Sequence, residues 1–124
     1  MLALTDPREA YRRSEIDARV EGGVDPADLV HLCLEQAIGG LGLAIIAHAR
    51  KDPTARSKAL TRALSALTAL DMGIDRSAPL AAALLQLYGG ARHAILDSVV
   101  SFDADVLGRI RQDLVDISRA LARA

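Results

Sequence analysis

Apolar residues return along this chain at steps of three and four, the spacing of one helical face. Val30, Leu34, Ile38, Leu41 and Ile45 form the most apolar ladder, widened by Leu29, Leu32, Cys33, Ala37 and Ala44. A helix this broadly apolar has to be buried against several neighbours, which makes it the centre of the fold. A second ladder runs Leu60, Leu64, Leu67, Leu70 with Ala63 beside it. A third runs Leu80, Leu84, Leu87, Ala91, Ile95, Ser98 with Tyr88 at its edge, and a fourth Leu107, Ile110, Leu114, Ile117, Leu121. Between the ladders lie start signals. Asp6-Pro7, Asp25-Pro26 and Asp52-Pro53 each pair a carboxylate able to accept from first-turn amides with a proline where a helix needs no N–H. Asp103 gives the last ladder a cap, Pro79 opens the third, and Gly73 offers a stop for the second.

These signals predict bundle helices over 26–51, 53–71, 79–101 and 104–122, preceded by a short helix over 6–20. That first segment has only Tyr11, Ile16 and Val20 as larger apolar residues, and Gly22-Gly23 separates it from the central helix, so it should dock loosely. Arg50 and Lys51 place positive charge at the negative end of the central helix. Short connections force consecutive helices to run antiparallel. The expected fold is all-α: an antiparallel up-down four-helix bundle with a short, loosely docked N-terminal helix, in a single domain over 1–124.

Composition sharpens this picture in one respect. Aromatic residues make up 2% of the chain and tryptophan is absent, so the core has to be built from leucine, isoleucine, valine and alanine on closely spaced helices. A net charge of −1 gives no electrostatic reason to expect nucleic acid or an anionic membrane as partner. No secretory signal is visible at the start, and the unbroken apolar run from Ala37 to Ala47 falls short of the ~20 residues that span a bilayer. The expected location is the cytosol, with no membrane insertion.

Candidate chemistry is thin. Asp28 and His31 have the i, i+3 spacing used by di-iron bundles, but no second such pair occurs, so neither metal nor cofactor is expected. His93 and Asp97 read as a surface i, i+4 pair, and His48 as a partner of the helix end. Cys33 has no base on its own helix face and reads as a small buried hydrophobe. No catalytic constellation emerges, and the chain does not read as an enzyme. Glycines at 39, 40, 42, 89 and 90 each cost roughly 1 kcal/mol within a helix. They fit either close helix approach or a groove left open for a partner backbone.

Longer patterns resemble a known family. Asp25-Pro26-x-x-Leu29-Val30-x-Leu32-Cys33-Leu34-Glu35-Gln36-Ala37-Ile38 is similar to the Ser-Pro-x-x-Leu-Val-x-Leu-Leu-Tyr-Asp-Gly-Ala-Ile stretch of the flagellin-specific export chaperone family, FliS. Leu80-Ala81-Ala82-x-Leu84-x-x-Leu87-Tyr88 resembles the family's Leu-Ala-x-Asn-Leu-x-x-Leu-Tyr segment, Ala10-Tyr11 its N-terminal Ala-Tyr, and the ladder from Asp103 to Ile117 its final helix. The chain is poorer in aromatics than the family, with Leu34-Glu35-Gln36 for Tyr-Asp-Gly, Gly90 for a second tyrosine, and Leu121 at a tryptophan position. The resemblance implies a specialised cytoplasmic chaperone that works without ATP. It implies binding of the disordered C-terminal segment of flagellin, prevention of its premature polymerisation, and delivery to the flagellar export gate as a further partner. Candidate client-binding residues are Tyr11, Leu34, Ile38, Leu87, Tyr88 and Ile95, each of which could equally belong to the core. A helical adaptor or oligomerisation module for an unrelated partner is the alternative.

Overall fold

The computed structural model describes residues 25–122. The expected helix over 6–20, its cap Asp6 and Tyr11 lie outside the described residues. By its contacts the chain divides into two compact units, 1–32 and 33–124. Four helices succeed one another: α1, Pro26–Ala49; α2, Pro53–Met72; α3, Ala81–Val100; and α4, Ala104–Ala122. No strand occurs among the described residues. From Cys33 onward the helices pack as an all-α, antiparallel four-helix bundle, in which α2 lies along α3 and α3 along α4.

The three described aspartate caps act as such. Asp25 Oδ1 accepts from the amide of Ala27 at 3.0 Å, and Asp52 Oδ1 from that of Ala55 at 3.1 Å. Asp103 Oδ1 accepts from Asp105 and Val106 at 3.1 and 3.2 Å. Each satisfies donors that the first turn leaves without an intrahelical partner. Gly73 is the C-cap of α2, its N–H bonded to Ala69 O, but at φ −87° it does not use the left-handed freedom of glycine.

That freedom would be useful elsewhere. α1 stops at Ala49, two residues before the expected end. Lys51 N–H bonds back to His48 O at 3.0 Å and Asp52 N–H to Ala47 O at 2.9 Å. This is the paired closure of a Schellman motif, and it places Lys51 at the left-handed position with φ 57°, where glycine is the usual occupant. Asp52 then finishes one helix and caps the next, which is how the chain reverses within three residues.

The third helix departs from the sequence expectation. Pro79 sits in a turn ahead of α3 rather than at its first position. Leu80 is 65% exposed and the helix begins at Ala81. Ser77, near this start, directs its hydroxyl to Asp75 Oδ1 at 2.6 Å instead of capping. With Leu80 outside the helix, the buried face runs through Ala81, Tyr88, Ala91, Ile95 and Ser98, while Leu84 and Leu87 are only half-buried. Tyr88 therefore moves from the edge of this face to its middle.

The interior is leucine and alanine around one aromatic ring. Leu34, Leu41, Leu67, Tyr88, Ile95, Leu107 and Leu114 are its largest fully buried side chains. Ala37, Ala44, Ala63 and Ala91 fill the narrower levels between them.

Because Lys51 holds a conformation that costs an L-residue about 1–2 kcal/mol, Lys51→Gly should stabilise the fold by about 1 kcal/mol in denaturant titration. A loss of stability would show that the lysine side chain contributes more than its backbone costs.

Candidate partner-binding surface

α1 is more apolar than its core contacts require. It has the length and composition of a membrane-crossing helix, yet only a third of that window is buried. The core helix of a bundle passes the same test of composition. The excess lies on its outer side, where Leu43 and Ile46 are half-exposed and Ile38 half-buried.

The three glycines of α1 serve three neighbours. A Cβ at Gly40 would stand 2.9 Å from Ala59 O and from Ala63 N, both backbone atoms of α2, so the two helices meet at that point with no room for a side chain. A Cβ at Gly39 would meet the tip of Arg62 at 2.9 Å, and one at Gly42 would meet Arg111 Nε at 3.1 Å. Arg62 Nε donates to Gln36 Oε1 at 2.7 Å. Arg111, reaching over from α4, donates to Ile38 O at 3.3 Å. Close approach thus accounts for Gly40, and crossing arginines for Gly39 and Gly42. Those arginines were not legible in the sequence, where the only signal was the glycines themselves.

On α3 the situation is different. A Cβ at Gly89 or Gly90 would meet nothing within 4 Å. Beyond them Leu96 is 54% exposed. His93 and Asp97 form the expected surface pair, Nε2 to Oδ2 at 3.4 Å.

The residues singled out in the sequence divide into two groups. Leu34, Tyr88 and Ile95 are 0%, 2% and 1% exposed. They are core in this structure. Ile38 and Leu87 are half-buried and reachable, on α1 and α3. Cys33 is buried, and burial pushes its thiol above the usual range, which leaves little thiolate for nucleophilic chemistry. Tyr88 is likewise raised by burial, with Cys33 adding to the effect.

His48 does more than face a helix end. Its ring stacks on Phe102 with centroids 4.1 Å apart and planes at 20°. Arg56 NH1 lies 3.0 Å from His48 Nδ1, and the Arg56 guanidinium sits 5.5 Å over the Phe102 ring. A guanidinium only donates, so Nδ1 is the acceptor in this contact. This small cluster ties the end of α1 to the start of α2 and to the α3–α4 turn. Among the described residues no group of three or more His, Cys, Asp or Glu could hold a metal ion.

The family model described as flagellar protein FliS matches residues 7–124. The chain belongs to the FliS family. No curated relative matches it. FliS is a family of cytoplasmic flagellar export chaperones, and its members act on flagellar protein partners. Gln36, which stands where the FliS pattern has glycine, accepts a hydrogen bond from Arg62 beside the Gly39 notch.

The glycines allow opposite outcomes to be expected from one substitution. Gly40→Ala should destabilise the fold by about 1–3 kcal/mol, since α2 backbone must retreat. Gly90→Ala should stabilise it by up to about 1 kcal/mol, since an exposed helical glycine gains propensity and meets nothing. Urea unfolding of the two variants would check both signs.

Proposed function

We propose that this FliS-family protein binds the disordered C-terminal segment of flagellin in the bacterial cytosol, holds it from polymerising, and passes it to the export gate. The observation that carries this reading is the family match across residues 7–124. The apolar surplus of α1 supports it. A client that folds on binding needs exposed apolar side chains to offset the entropy of its own ordering.

Ile38 and Leu87 are the described candidates for direct client contact, and Tyr11 joins them from the family resemblance. Leu34, Tyr88 and Ile95 are buried and contribute from the core. In the helix order of this bundle α1 and α3 lie diagonally, with α2 and α4 between. A client touching both Ile38 and Leu87 must therefore follow the surface as an extended or hinged segment, which suits a disordered chain better than a folded domain. Such wrapping needs no nucleotide and no covalent chemistry.

Calorimetry with a flagellin C-terminal peptide tests this. Wild-type protein should bind it more tightly than it binds duplex DNA of similar length at physiological salt. Ile38→Asp and Leu87→Asp should each weaken peptide binding about tenfold or more, the equivalent of ~1.4 kcal/mol. Absence of peptide binding, or equal affinity for DNA, would refute the chaperone reading. An apolar partner unrelated to flagella would then be the better description.

A further inference from the structure

Arg111 is held on α1 although it belongs to α4. Its Nε donates to Ile38 O at 3.3 Å and lies 3.1 Å from where a Cβ of Gly42 would be. The side chain therefore crosses between the helices through the gap that this glycine leaves. The bond does not rescue a stranded acceptor. Ile38 lies inside α1, where its carbonyl takes the amide four residues on, that of Gly42 itself. Arg111 is half-buried, and its two terminal nitrogens meet no carboxylate among the described residues. Other arginines of α4 are placed differently. Arg109 has Asp105 and Asp113 one turn away on either side, and Arg119 has Asp116. Three and four residues from Arg111 stand only Leu107, Gly108, Leu114 and Val115, so its own helix offers it no ion-pair partner. Beside the crossing, Leu43 and Ile46 are half-exposed.

We propose that Arg111 takes the α-carboxylate at the end of the client chain, an inference that rests on the reading of the client as a C-terminal segment. Such a segment ends in a carboxylate whatever its sequence. A guanidinium tethered by Nε keeps its terminal pair of nitrogens for a bidentate contact with the two carboxylate oxygens. Ile38, the proposed client contact on α1, supplies that tether, so apolar contact and charge recognition sit side by side. Arg62, on the other flank of α1, donates to Gln36 instead. The carboxylate nearest to Gly42 along α1 is the exposed Glu35. Two helical turns put it about 10 Å away, a distance at which salt screens most of its repulsion.

Calorimetry at about 50 mM salt tests this, with a flagellin C-terminal peptide made once as the free acid and once as the terminal amide. Wild-type protein should bind the acid about threefold to tenfold more tightly than the amide. Arg111→Gln should weaken the acid to the level of the amide and leave the amide unchanged. Arg111→Lys, which keeps the charge without the fork, should retain part of the preference. Arg109→Gln should leave the preference whole. A free-acid peptide whose internal Asp and Glu are changed to Asn and Gln should still depend on Arg111. Helical dichroism confirms that each variant is folded. The ratio of the two affinities is the readout, because a tie that only braces the fold would cost both forms equally. Equal binding of acid and amide by wild-type protein overturns the assignment and leaves the chaperone reading standing. So does equal loss of both forms in Arg111→Gln, a preference that falls as far in Arg109→Gln, or one that follows the internal acids. Wild-type protein that binds neither form refutes the chaperone reading, and the assignment falls with it.

Discussion

The contact on which this bundle depends is the one at Gly40, where α1 comes so close to α2 that Ala59 O and Ala63 N stand 2.9 Å from where a Cβ would be. A core almost without aromatic rings cannot fill wide spaces between helices. It reaches interior packing density only if the backbones draw together. Alanines at 37, 44, 63 and 91 are buried for the same reason. Tyr88 is the exception, a single large buried ring on α3. The stability of the fold rests on many small contacts and one narrow crossing.

Thin packing has a consequence on the outside. The core uses only part of the apolar surface that α1 carries, and the remainder is presented outward at Leu43 and Ile46. In an isolated protein such a surplus is a liability. On the proposed reading it is surface offered to a client, since a segment without a fold of its own is held through apolar area. The aromatics that the family pattern has at positions 34, 90 and 121 are replaced here by Leu34, Gly90 and Leu121, and the four-helix architecture persists. Leu34 still fills its level of the core, and the narrow crossing is set by Gly40 rather than by any of the three.

Much of the fold was legible from side chains whose effects are local. Aspartate before proline marks a helix start wherever it occurs, and Asp25 and Asp52 cap as the pattern says. In the ladders of α2 and α4, Leu60, Leu67, Leu70, Leu107 and Leu114 are buried, and Leu64, Ile110, Ile117 and Leu121 are half-buried. On α3 the second half of the ladder, Ala91, Ile95 and Ser98, is buried as expected, whereas at its start Leu80 is exposed and Tyr88 rather than Leu87 is fully buried. Its start depends on where Ser77 finds a hydrogen bond, which no periodicity reports. Sequence likewise could not tell Leu34, Tyr88 and Ile95 from surface residues, since a core leucine and a groove leucine look alike in a ladder. The arginines over Gly39 and Gly42, and the stack of His48 on Phe102, join residues far apart in the chain. Nothing in local sequence pairs them.

On the proposed reading, this protein keeps flagellin from assembling by holding its C-terminal segment. The direct measurement is light scattering from purified flagellin of the same organism, triggered to polymerise with and without an equimolar amount of this protein. The predicted result is loss of filament growth at the equimolar ratio, restored when excess free C-terminal peptide competes for the chaperone. Filament growth at an unchanged rate and extent would contradict it.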